Sequence, residues 1–191
     1  MTKIRIDLPL DVEKIANLKS GDSVLISGTI YTARDAAHKR MIEELNEGKT
    51  LPVDLKNQTI YYAGPCPPKP GDIIGSIGPT TSGRMDAYAP ILLDKGLKGM
   101  IGKGYRDKTV IDAIIKNKAV YFGAVGGAGA LLKESVVSVE IVAYEDLGTE
   151  AIRKLEVKDF PAVVIIDSKG NNLYETEKSK YRKSTEDRNW G

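Results

Sequence analysis

The stretch "KGMIGKGYRDKTVIDAIIKNKAVYFG" at residues 98–123 decides the fold class. A short apolar run ends in a lysine set between two glycines. An amphipathic segment, "TVIDAIIKNK", follows, and a second apolar run closes the unit. Strand, helix and strand in that order predict an α/β fold with a parallel central sheet. Upstream, "DIIGSIGPTTSGR" (72–84) reads as a strand opening into a Gly-rich loop, with a helix from about Met85 that turns Tyr88, Leu92 and Leu93 inward. "TIYYAGP" (59–65) is a short strand stopped by Gly-Pro. Further back, "SVLISGTIYTA" is β-rich, and Thr32 with Asp35 three positions on has the form of a capping box. The helix it predicts runs through "ARDAAHKRMIEELNEGK", burying Ala37, Met41 and Leu45, with Gly48 as its stop.

The ends differ from the middle. Ile4, Ile6 and Leu8 alternate as a strand does. "SVVSVEIVAY" and "AVVIIDSKGNNLYE" are β-rich, the second with a hairpin signal at Lys169-Gly170-Asn171. These segments predict additional antiparallel strands. One domain is expected over 1–175, with a polar C-terminal tail over 176–191.

The chain has 191 residues, enough for one sizeable core. Twenty-eight Lys and Arg against 26 Asp and Glu leave a formal charge of +2, too small for a broad nucleic-acid or membrane footprint. Neither a long apolar run nor a signal peptide is evident, which predicts a cytoplasmic protein. A single cysteine, Cys66, cannot build a disulfide framework within the chain, nor hold a thiolate-ligated metal or iron–sulfur cluster alone.

Three loops carry the candidate chemistry. Arg34 sits at a helix start, where backbone N–H groups favour an anion, and His38 lies four residues on along the same face. In "SIGPTTSGRMDAY" (76–88), two glycines relax the backbone, Thr80 and Thr81 offer hydroxyls, and Arg84 offers a planar fork of donors. The Gly-Lys-Ser/Thr ending of a nucleotide loop is missing, so the loop suits a carboxylate better than a triphosphate. Lys103 stands at the end of a strand, where α/β sheets place ligands. Against these three cations only one nearby acid, Asp86, is expected. "GAVGGAGAL" (123–131) lacks dinucleotide spacing and is read as tight packing or closure over the site. The set points to a small dianion held by charge-assisted pairs.

"YTARDAAHKR", "YYAGP", "GPTTSGRMD", "GKG", "GGAGAL" and "FPAVVIIDSKGN" occur in the order found in the β subunit of class I fumarate hydratases and tartrate dehydratases. Over residues 2–174 the chain resembles that module, which also forms the C-terminal domain of single-chain relatives. The resemblance implies a swivelling β/β/α three-layer domain docked on an α subunit that carries a [4Fe-4S] cluster, in a heterotetramer of two α and two β chains. It implies reversible hydration of fumarate to (S)-malate, or dehydration of L-tartrate. Arg34 and Arg84 match the family's substrate-carboxylate arginines, Thr80 and Thr81 its catalytic-loop threonines, and Lys103 its active-site lysine. His38 and Asp86 are expected to support them, and Cys66 to pack beside "YYAGP". No metal is expected in this chain itself.

Overall fold

Side chains alternate across a strand, so each apolar strand here feeds two different cores. In the computed structural model, which describes residues 3–124 and 129–178, Tyr61, Ile101 and Phe122 face one core while Ile60, Met100 and Tyr121 face the other. They come from β3 (Thr59–Tyr61), β4 (Gly99–Gly102) and β5 (Val120–Ala124), all buried on both faces, as a parallel sheet with both sides covered must be. The second core is filled by the apolar stripes of α2 (Asp35–Asn46), α3 (Ala89–Asp94) and α4 (Lys108–Asn117).

β1 (Ile4–Asp7), β2 (Ser23–Thr32), β3, β4 and β5 are parallel neighbours in that order. α1 (Val12–Ala16) joins the first two, and α5 (Gly129–Lys133) precedes β6 (Val136–Ala143). The last strand, β7 (Ile152–Ile166), changes the architecture. It runs antiparallel to β2 from Ser23↔Val163 to Thr32↔Arg153, and to β5 from Tyr121↔Ile166 to Ala124↔Ala162. The ring β2-β3-β4-β5-β7 therefore closes like a barrel, with β6 paired to the outer half of β7. Closure satisfies backbone groups that an open sheet would leave at its edge. At Gly28, with φ of +113°, the β2–β7 register shifts, a bend that ring closure uses.

The α/β class, the parallel centre and the antiparallel additions agree with the sequence reading; the barrel-like closure was not anticipated. Four local expectations are corrected. Residues 72–78, read as a strand, form bends and irregular chain with no strand. Thr32 does not cap a helix, because it is engaged in two ladders, opposite Tyr61 and Arg153, and its Oγ1 accepts from the Arg153 N–H at 3.3 Å. The helix starts two residues later, with Arg34 at the N-cap and no side-chain cap bond. Past Thr81 the chain first makes a 3-10 turn, Ser82–Met85, and α3 begins only at Ala89, since Pro90 fits a first turn but no later one. Tyr88 is half-buried there, whereas Leu92 and Leu93 are fully buried. Finally, Lys169-Gly170-Asn171 makes a tight return secured by Asp167 Oδ1, which accepts from Lys169 N and Asn171 N. One isolated bridge, Ile166↔Asn172, replaces the hairpin, and 173–178 turn helical. The rest of the expected tail, 179–191, lies outside the described residues.

Gly48 does take the left-handed conformation just past α2, with φ of +75°. Among the described residues no helix is long and apolar enough to cross a membrane.

Candidate functional site

Three parallel strands end side by side, at Thr32, Tyr61 and Gly102. Parallel pairing puts their carboxyl ends at one rim, so Arg34, Gly64 and Lys103 leave the sheet at the same edge. The loop from Ser76 to Arg84 crosses that rim. Ile77 O accepts from the Tyr61 hydroxyl at 2.7 Å, and Pro79 bridges to Ala63. The Thr80 N–H donates to Tyr62 O at 2.8 Å, Thr81 bridges to Lys103, and the Ser82 N–H donates to Lys103 O at 2.9 Å. Backbone bonds to two strand ends thus fix where both threonines sit.

Beneath the loop, Ser82 lies so close to Gly102 that any Cβ there would collide with its Oγ. The buried Tyr121 hydroxyl lies 2.9 Å from Ser82 Oγ and 2.9 Å from Gly104 O. A carbonyl only accepts, so Tyr121 donates to Gly104 and receives the Ser82 proton. On the other side, a Cβ at Gly129 would come within 2.7 Å of Ser76 Oγ. The Ile77 N–H donates to Gly129 O at 3.1 Å. Gly129 is therefore packed against the crossing loop, as a small residue must be; Val125 to Ala128 lie outside the described residues.

Two of the predicted cations meet at an acid that sequence reading did not select. Arg84 Nε donates to Asp35 Oδ1 at 2.8 Å, and Arg34 Nε stands 4.0 Å from Asp35 Oδ2. Glu150 flanks Arg34 from the other side at 3.8 Å. A Cβ at Gly64 would stand 3.1 Å from Arg34 Cδ and 2.8 Å from Thr149 O, so glycine makes room for the arginine stem. The terminal guanidinium nitrogens of Arg34 and Arg84 have no hydrogen-bond partner among the described residues. Nor do Lys103 Nζ and the hydroxyls of Thr80 and Thr81. Lys103 and Thr81 are exposed, and Arg84 keeps 53% of its side-chain surface in solvent.

Asp86 sits elsewhere than expected. It belongs to a buried pair below the rim, where its Oδ1 accepts from Arg106 Nε at 2.6 Å and its Oδ2 from the Asp107 N–H at 2.7 Å. Arg106 also lies over the rings of Tyr62 and Tyr121, at 5.3 and 5.0 Å. The acid that the two arginines share is therefore Asp35, adjacent in sequence to Arg34 and masked there by its capping-box reading, while Glu150 lies beside Arg34 alone. Arg106 had no sequence signal, because a buried arginine looks like any surface arginine until the fold supplies its partners.

His38 is wholly buried and holds Arg34 from behind, with Nδ1 2.8 Å from Arg34 O. A carbonyl requires a donor, so Nδ1 carries the proton. Desolvation pushes the imidazole pKa down from 6.5 to about 4, and the ring is neutral at pH 7. Its Nε2 has no partner, and the ring meets Tyr62 edge-on at 5.3 Å. This geometry ties the ring to the start of α2. Cys66 is exposed rather than packed, tied to the loop only through its backbone N–H on Ser76 O at 2.9 Å. Among the described residues, no group of three or more His, Cys, Asp and Glu could hold a metal ion.

Free ends of guanidinium forks, an ammonium without a partner among the described residues and two hydroxyls lie along one rim, a set of groups of the kind that could hold an anion and exchange a proton. Each charge-assisted bond there contributes roughly 1.5–3 kcal/mol. The chemistry suits carboxylates.

Comparison with known proteins gives the family. The model of the "Fumarase C-terminus" family matches residues 1–177. Fumarate hydratase 2 of Leishmania major is 40% identical over 179 residues, covering 91% of this chain but 32% of its own length. The anaerobic class I fumarate hydratase of Escherichia coli is 45% identical over 152 residues, 78% of this chain and 28% of its own. The chain thus spans about a third of those relatives. A putative L(+)-tartrate dehydratase subunit beta of Methanocaldococcus jannaschii is 41% identical and matched almost end to end, 93% of this chain to 94% of it.

Proposed function

The chain belongs to the fumarase C-terminus family, that of the class I fumarate hydratase and tartrate dehydratase β subunits, and from that premise we propose that it is the β half of a two-subunit hydro-lyase. It hydrates fumarate reversibly to (S)-malate, with a separate α subunit completing the site. One observation carries this reading: Arg34 and Arg84, from different elements, meet at Asp35 with the ends of both forks unoccupied. Two arginines so placed grip a dicarboxylate at one rim.

Arg34 and Arg84 bind the substrate carboxylates and orient the carbon that loses or gains a proton. As that proton leaves, negative charge grows on the neighbouring carboxylate. Preorganised cations stabilise this charge more than they stabilise the ground state. In this reading Thr80 or Thr81 is the oxygen that takes the proton, with the Lys103 ammonium and Arg84 lowering the cost of its alkoxide; the other candidate base is Lys103 in its neutral form. In this reading the [4Fe-4S] cluster belongs to the α subunit, and no step of this chain runs through it. The swivelling attachment and a heterotetramer of two α and two β chains complete the proposal.

The near end-to-end match to the tartrate dehydratase subunit favours a second reading, in which L-tartrate is the substrate. Malate and tartrate differ by one hydroxyl, which a single paired donor can discriminate. Anaerobic co-expression with the cognate α chain, followed by rates on malate and tartrate, tests both. Turnover on malate by the complex, with none from this chain alone, is the expected result. Robust turnover by this chain alone would refute a divided site. Dicarboxylate binding without any catalytic partner would make it a stand-alone binding module.

A further inference from the structure

Asp35 divides its two oxygens between two cations. Oδ1 accepts from Arg84 Nε at 2.8 Å, while the buried Oδ2 makes no hydrogen bond and stands 4.0 Å from Arg34 Nε, itself buried and unbonded. Both contacts use the inner nitrogen of the guanidinium. An arginine paired side-on, through Nε and one Nη, has one terminal nitrogen left for a ligand. One held through Nε alone keeps both, in the end-on geometry that grips a carboxylate with two parallel bonds. Asp35 is anchored for this task as the first residue of α2, half-shielded at 30% side-chain exposure. Arg84 reaches it from the 3-10 turn after the crossing loop, so this carboxylate ties the loop to the helix start.

We infer that Asp35 is a positioning residue for substrate. By holding Arg84 through Nε and facing Arg34 with its second oxygen, it sets the angle and spacing of two end-on carboxylate clasps and thereby selects dianions of one length. The inference rests on the proposed dicarboxylate site. Asp35 does not touch the reacting carbon, and its effect passes through the arginines.

The test is a mutant cycle in the assembled complex, assayed with malate. Asp35→Ala is expected to lower kcat/KM about tenfold, since that ratio reads how well the two arginines hold the transition state relative to free enzyme and substrate. In an Arg84→Ala background the same change is expected to cost less than about threefold, because its means of action is already gone. A residue that merely supports the fold would cost the same factor in both backgrounds. Should Asp35→Ala fail to assemble, the size-matched Asp35→Asn takes its place in the cycle. It is expected to lose about threefold in the wild-type background and nothing further beside Arg84→Ala. Equal losses in both backgrounds, or no loss where Arg84→Ala alone is severe, would overturn the inference and leave the site standing. Full activity in both Arg34→Ala and Arg84→Ala would overturn the site itself.

Discussion

Arg106 donates through Nε to Asp86 at 2.6 Å with both side chains buried, and the pair joins the two loops that carry the candidate chemistry. Asp86 follows the 3-10 turn that begins just after Thr81, while Arg106 stands three residues beyond Lys103. Removing one partner strands the other's charge out of water. Asp86→Ala is expected to destabilise the chain by about 3–5 kcal/mol, read as a drop in urea midpoint at unchanged slope. Asp86→Asn, which keeps an acceptor for one of the two donors, Arg106 Nε or the Asp107 N–H, and loses the other, is expected to cost less.

Gly102 allows Ser82 to sit directly over the end of β4. Gly102→Ala would set a Cβ against Ser82 Oγ and 3.0 Å from Tyr62 Cδ2, so the crossing loop must move. A loss of about tenfold or more in kcat/KM is expected, since sub-ångström shifts at such a site are costly. Adding Ser82→Gly removes the obstructing oxygen and is expected to recover part of the loss. Kinetics of the single and double variants check this.

His38 makes stability depend on pH. Its folded pKa of about 4 lies below the unfolded 6.5, so between these values the unfolded chain binds more protons. The contribution is fully present above about pH 6.5 and is lost as pH falls toward 4, on the order of 3 kcal/mol. His38→Asn keeps a donor for Arg34 O without a titrating ring. Its melting temperature is expected to fall less steeply between those pH values than that of the wild type.

Lys103 has no carboxylate partner among the described residues, so its charge is available to the reaction. Lys103→Met is expected to lower kcat by about a hundredfold while KM changes little, the mark of a group that stabilises charge formed only in the transition state. A change confined to KM would make it a simple substrate contact. Steady-state kinetics of the assembled complex separate the two.

Much of this was legible in the residues. Period-two strands between amphipathic segments fix an α/β class, because local pattern records which faces are buried. Arg34, Thr80, Thr81, Arg84 and Lys103 stand out in the sequence because cations and hydroxyls gather in Gly-rich loops that follow predicted strands. Their roles await the kinetics above.

Other features depend on distance through space, which no local pattern encodes. The pairing of β7 with both β2 and β5 closes the ring, yet nothing in "AVVII" says that its neighbours lie some forty and some hundred and forty residues upstream. Thr32 and Asp35 have the spacing of a cap, but Thr32 is held by the ladders on either side and Asp35 is released to hold Arg84. Sequence alone determined the chemical inventory of the rim and the layers beneath it, because composition and periodicity are properties of the chain. Tertiary structure alone decided which acid faces which base, because a charge acts on whatever the fold brings within a few ångströms of it.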